Sequence, residues 1–241
     1  MEEDMTTSRL KFSGRVHPES KFHQLRAEAG PDHVIPPTWV PIPGVGEVAQ
    51  YSPTVFGKSI AYDPPNNCEG NFMSAKFQPN NNCYAYGTNI ASNSFPQPGR
   101  INGYLLPSNF TGADVVKGAT MDGLRVAGNT IDDIGEHADA ATSAGHYVGL
   151  MISAPDSSLD WPGDYHWCRC DVGAPYNSWS QKDGSDQVTN FDFAGNPIIY
   201  PSEANWTVNQ GPTPQLNKDD MVVSYIFYTY MFVPNQGVNI I

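Results

Sequence analysis

The fold prediction starts from residues 78–87, whose sequence is Gln-Pro-Asn-Asn-Asn-Cys-Tyr-Ala-Tyr-Gly. It also uses residues 145–152, whose sequence is Gly-His-Tyr-Val-Gly-Leu-Met-Ile. Proline disfavours helix in the residue before it and asparagine caps helix starts, so the first stretch predicts a loop that turns into a helix at Cys83. The unpaired N–H groups and the positive end of the helix dipole favour a thiolate there. His146 begins an apolar run typical of a buried strand, and an imidazole beside such a cysteine can take its proton.

The neighbouring segments extend this prediction. The first helix is expected to run to about Ser92, and Thr111 with Asp114 forms a capping-box pair that predicts a second helix. After the strand at 146–152, a hairpin connection leads to a second strand at 164–170. Residues 221–233 are rich in β-branched and aromatic side chains and predict a final strand or pair of strands.

Alternation assigns the side chains of the second strand to two faces, because residues two apart share a face. One face carries His166, Cys168 and Cys170, and the other carries Tyr165, Trp167 and Arg169.

The predicted elements follow a recognisable order along the chain. A cysteine at a helix start comes first, followed by a second helix, a histidine at a strand start and a polar residue on the adjacent strand. This order resembles the papain-like cysteine hydrolases, most closely the NlpC-type and CHAP-type peptidoglycan amidases and endopeptidases. The resemblance implies an α+β fold in which the cysteine helix packs on an antiparallel sheet. It also implies that Cys83 is the catalytic nucleophile, His146 the general base and His166 the orienting group, with Asp164 as a second candidate.

The resemblance covers about residues 66–233. The blocks around Cys83, His146 and His166 are also similar to a set of bacterial and phage proteins with no established activity. Two departures leave the substrate class open: Gln78 stands near the usual offset of an oxyanion donor without matching it, and the flanks of Cys83 differ from those of the family.

The chain divides into a polar arm at 1–35, a proline-rich extended segment at 36–65 and one α+β domain at 66–241. The arm lacks a sustained hydrophobic period, so it is either disordered or ordered only against an assembly partner. The recurrent prolines of the second segment favour extended backbone, with short edge strands at 45–51 and 54–62.

Charge limits the partners. The chain carries a net charge of −12, and residues 101–241 alone contain 16 acidic and 5 basic residues. Such a domain repels phosphate backbones, which excludes nucleic acid as a partner, and favours amine-bearing substrates. Most of these carboxylates are explained as a solvated surface that keeps the protein soluble.

Four cysteines, Cys68, Cys83, Cys168 and Cys170, are too few for a disulfide scaffold in a chain of 241 residues. The first residues are acidic, which predicts no signal peptide and synthesis in a reducing cytoplasm, followed by release or incorporation into a virion. The longest apolar run is too short for a membrane span.

These observations predict a hydrolase without metal or cofactor: Cys83, deprotonated by His146, attacks an amide carbonyl of a cell-wall peptide or another peptide. Two alternatives stay open. His166, Cys168 and Cys170, joined by Cys68 or His146, offer a mixed ligand set for zinc. A structural or adaptor protein, such as a phage virion component, suits the proline-rich leader and the many aromatic residues.

Overall fold

The computed structural model describes residues 36–58, 60–63, 72–74, 77–136, 145–159, 161–212 and 220–241, so the arm at 1–35 lies outside the described residues. The strands are β1 (Thr38–Ile42), β2 (Gly46–Gln50), β3 (Val55–Phe56), β4 (Ile90–Ala91), β5 (Arg125–Gly128), β6 (Gly145–Ser153), β7 (Asp164–Cys170), β8 (Trp179–Lys182), β9 (Val188–Thr189), β10 (Thr207–Pro212), β11 (Asp220–Ser224) and β12 (Ile226–Pro234). The α-helices in these residues are α1 (Cys83–Gly87), α2 (Gly112–Met121) and α3 (Ile131–Glu136).

A six-stranded antiparallel sheet forms the centre of the molecule. Its strand order is β5-β12-β6-β7-β8-β9. β12 therefore lies between β5 and β6, although it follows both in the chain. The other strands form three two-stranded sheets, β1-β2, β3-β4 and β10-β11.

The predicted papain-like α+β fold is wrong. The described part of the chain is mostly β-structure, and of its three α-helices only α2, with ten residues, is longer than six residues. The helix that carries Cys83 is too short to cover the sheet as the helix of a papain-like enzyme does.

Local interactions explain why α1 ends at Gly87 rather than near Ser92. The hydroxyl of Thr88 donates hydrogen bonds to the carbonyl oxygens of Tyr84 and Ala85, at 2.8 and 3.2 Å. Asn89 then adopts the left-handed conformation, with φ of 56°, which turns the chain out of the helix. The chain continues directly into β4.

Two apolar clusters pack against opposite faces of the sheet. The first joins α1 and α2 to inward-facing residues of β6, β7 and β12, including Val148, Trp167 and Met231. The second joins α3 and the β10-β11 hairpin to residues such as Cys168 and Tyr230. The sheet is thus the middle layer of three.

Several local predictions are confirmed. α2 begins with the capping box of Thr111 and Asp114, and the strands predicted at 146–152 and 164–170 are β6 and β7, paired antiparallel. The apolar segment 221–233 forms two strands, β11 and β12, which belong to different sheets. No α-helix in the described residues is long and apolar enough to cross a bilayer.

Candidate functional site

Cys83 begins α1 as predicted, because the side chain of Asn82 caps the helix by accepting a hydrogen bond of 3.1 Å from the Ala85 N–H. The thiol is completely buried. Its Sγ lies 3.9 Å from the carbonyl oxygen of Tyr165 on β7, to which it donates. Burial raises the pKa of the Cys83 thiol, and the nearby carboxylate of Asp164 raises it further. Desolvation therefore outweighs the helix start, and Cys83 is a protonated core thiol at neutral pH.

His146 lies at the other end of the same helix. Its Nε2 is 2.7 Å from the carbonyl oxygen of Gly87, the last residue of α1, which accepts the imidazole proton. Burial lowers the pKa of His146 to about 3, so the ring is neutral and fixed by the helix. A neutral imidazole satisfies this orphan helix carbonyl without a buried charge.

The structure does not bring the thiol of Cys83 to the ring of His146. Tyr165, which accepts from the thiol, is paired across the sheet with Ile152, six residues along β6 from His146. The thiol is thus bonded at the first residue of α1 and the imidazole at its last residue, and in the described part of the chain no hydrogen bond joins the two groups. The proton transfer predicted from the sequence therefore has no support in this geometry.

His166 faces the opposite side of the sheet. Its Nε2 is 2.6 Å from Oε1 of Gln181, and its ring contacts Phe193 and Trp206. Burial lowers the pKa of His166 to about 4. The imidazole is thus separated from His146 by the sheet and cannot orient it.

Asp164, the other candidate for the orienting role, is also bonded elsewhere. Its Oδ2 accepts a hydrogen bond of 2.8 Å from the hydroxyl of Tyr225, and its Oδ1 accepts one of 2.7 Å from the Tyr165 N–H. The carboxylate fixes the start of β7.

The proposed zinc ligands share a face of β7 but are occupied by other bonds. Cys168 Sγ lies 3.8 Å from the carbonyl oxygen of Gly149, and Cys170 Sγ lies 3.1 Å from that of Val172. The described residues contain no group of three His, Cys, Asp or Glu side chains that could hold a metal ion. Cys68 lies outside the described residues.

A buried ring of polar groups, which was not predicted from the sequence, lies between α1 and the sheet. The guanidinium of Arg169 stacks on the ring of Tyr86, 4.1 Å from its centroid, and donates to its hydroxyl at 2.8 Å. That hydroxyl contacts the hydroxyl of Ser180 at 2.6 Å, and Ser180 donates to Asp171 at 2.7 Å. Asp171 closes the ring as the ion-pair partner of Arg169, at 3.5 Å.

Burial raises the pKa of Asp171 to about 6, although Arg169 opposes this shift. Among the described residues, the carboxylate oxygen Oδ2 of Asp171 and Nε of Arg169 have no hydrogen-bond partner. Alternation along β7 was the available signal, because it placed a charged side chain on the same face as Tyr165 and Trp167. Such a charge needs a buried partner, and Asp171 stands two residues away.

The chain was compared with known proteins. No family model and no solved structure matches it. It is 34% identical over 150 residues to insoluble matrix shell protein 1 of Ruditapes philippinarum, an alignment that covers 58% of this chain and 84% of that protein. The chain belongs to the family of insoluble matrix shell protein 1.

The buried, separated positions of Cys83, His146 and His166 agree with structural roles for these side chains. Each of them bonds to a neighbouring strand or helix.

Proposed function

We propose that this protein is a non-catalytic structural protein that assembles into an insoluble extracellular matrix. The relationship to insoluble matrix shell protein 1, across 84% of that protein's length, carries the proposal. The surface gives further support. Large apolar side chains are exposed on several strands, among them Trp39 (57%), Phe56 (58%) and Ile226 (74%), and such residues favour burial against neighbouring molecules.

The chemistry of the core also favours a structural protein. A nucleophilic cysteine needs an accessible thiolate, whereas Cys83 is completely buried and its pKa is raised. The base that the sequence predicts for it is held by the carbonyl of Gly87. Peptide hydrolysis and a role in a phage virion stay predictions that no contact in the described residues favours.

Assembly and hydrolysis can be tested on the same preparation. The purified full-length chain and Cys83→Ala are concentrated stepwise, and the fraction that pellets in the ultracentrifuge is measured at each step. Both proteins are then incubated with purified peptidoglycan and with a peptide library, and new amine ends are counted.

We expect both proteins to form pelletable assemblies at the same concentration and to release no amines. Monomeric protein at every concentration would contradict the structural role. Amine release that the alanine substitution abolishes would instead restore the hydrolase prediction.

A further inference from the structure

β5 is an edge strand of the central sheet. In the described part of the chain its sheet neighbour is β12 alone. Arg125 and Val126 are exposed, Val126 at 60%. An edge strand presents a row of N–H and C=O groups that another chain can pair with. The four residues of β5 are therefore a template for an added strand.

The two faces beside this edge differ. Val126 is paired with Met231, which belongs to the apolar cluster under α2, so Val126 points to the α2 side. Ala127 belongs to the cluster that contains Ile134 of α3. The first turn of α3 carries Asp132 and Asp133. The carboxylate of Asp133 accepts hydrogen bonds from the N–H groups of Asn129 and Thr130, whereas Asp132 is exposed. An added strand would thus meet an exposed apolar side chain on one face and the carboxylate of Asp132 on the other.

The arm contains a segment with a matching pattern. Residues 9–12 are Arg-Leu-Lys-Phe, in which basic and apolar side chains alternate. In a strand, Leu10 and Phe12 would share one face and Arg9 and Lys11 the other. The segment has the same length as β5, and residues 9–26 contain five basic residues and one acidic residue, against the strongly acidic body.

We propose that residues 9–12 of one copy add as a strand to β5 of a second copy, with Leu10 and Phe12 on the side of Val126 and the basic pair on the side of Asp132. This inference rests on the proposed assembly function and names its contact. The 23 residues between Phe12 and the first described residue reach about 80 Å when extended, enough to span neighbouring molecules. Because donor and acceptor surfaces differ, the contact is head-to-tail and continues as an open chain of molecules.

Mixed cysteine variants, which retain the buried Cys83, Cys168 and Cys170, test this contact. Leu10→Cys and Val126→Cys are made in separate full-length chains, each with Cys68→Ser, then mixed at micromolar concentration and oxidised with oxidised glutathione. Thiols held together have an effective concentration in the millimolar range. We therefore expect a disulfide dimer at least about tenfold more abundant than with Lys21→Cys in place of Leu10→Cys.

Equal dimer yields in the two mixtures would overturn the proposal. A chain that carries both Leu10→Cys and Val126→Cys tests whether the arm binds the sheet of its own chain instead. A disulfide that forms only within the monomer would mean that it does, and this result would also overturn the proposal. If the wild type pellets but the mixture gives no specific dimer, this contact is wrong and the assembly function stands. If the wild type never pellets, the assembly function itself fails.

The charge prediction is tested with Asp132→Lys. We expect the concentration at which half of the protein pellets to rise about tenfold, since the substitution replaces attraction by repulsion. Arg9→Asp and Lys11→Asp in the same chain should restore most of the loss. Arg15→Asp with Lys21→Asp is the matched control, because it makes the same charge change outside the pairing segment and should restore little. Equal restoration by both pairs would contradict the proposed register.

Discussion

Asp122→Asn should change the dependence of stability on pH. Asp122 is buried, and its Oδ2 accepts hydrogen bonds from the hydroxyl of Tyr84 at 2.9 Å and the Gly99 N–H at 2.7 Å. Its Oδ1 accepts one of 2.8 Å from Asn102. Burial nevertheless raises the pKa of Asp122 from 3.8 to about 6. Desolvation of the carboxylate therefore outweighs its hydrogen bonds.

The raised pKa of Asp122 determines whether stability rises or falls with pH. A carboxyl group whose folded pKa exceeds its unfolded pKa favours folding when protonated, so its contribution is complete below about pH 4 and is lost as pH rises through about 6. A pKa difference of about two corresponds to about 3 kcal/mol of unfolding free energy. Asparagine keeps the shape and does not ionise. The wild type should thus lose about 2 to 3 kcal/mol relative to the variant between about pH 4 and pH 7.

Urea denaturation of both proteins, followed by tryptophan fluorescence at several pH values, measures this difference. The control is Asp114→Asn at the start of α2, since hydrogen bonds from Thr111 lower the pKa of Asp114. The wild type should be more stable than Asp114→Asn at neutral pH, and this difference in unfolding free energy should disappear as pH falls. The pH dependence is therefore opposite to the one expected for Asp122. A free-energy difference between wild type and Asp122→Asn that stays constant across this pH range would refute the reasoning.

Two further substitutions and one labelling experiment test the core. Asn82→Ala removes the cap of α1 and a hydrogen bond of 2.8 Å to the Pro96 carbonyl; we expect a loss of about 2 kcal/mol in urea denaturation. Arg169→Met leaves Asp171 as an uncompensated buried carboxylate and should cost about 3 to 5 kcal/mol at neutral pH, less below pH 6, and an additional Asp171→Leu should recover much of it. The Cys83 thiol should resist iodoacetamide in the folded protein at about pH 8 and react once urea unfolds it, as followed by mass spectrometry of its peptide; rapid alkylation of folded protein would contradict its burial.

The sequence predicted those parts of the local structure that depend on neighbouring residues. The asparagine before Cys83 predicts a helix start, and the structure has the cap in place. Alternation along 164–170 correctly separated His166 from Tyr165 and Trp167. Alternation does not say which face a helix covers, however. α1 lies on the face of Tyr165, so the histidine expected near Cys83 points away from it.

The predicted fold class was wrong because the fold depends on contacts between residues far apart in the chain. A helix start predicts little about helix length, which here is set by Thr88 and Asn89 together with packing against β7. The position of β12 between β5 and β6 depends on pairings more than 70 residues apart, such as Val148 with Met231. Spacing along the chain contains no such information. The hydrogen bond between Ser180 and Asp171 likewise could not be predicted, because it depends on the pairing of β7 with β8.

The central position of β12 affects the order in which the sheet can form during synthesis. While residues up to about 225 are being made, β5 and β6 lack the strand that joins them. Until β12 has been made, β5 has no partner in the sheet and one edge of β6, the edge opposite β7, stays unpaired, so the nascent chain keeps apolar surface exposed during this time. This delay makes the newborn chain a substrate for chaperones and leaves it open to premature association with its neighbours.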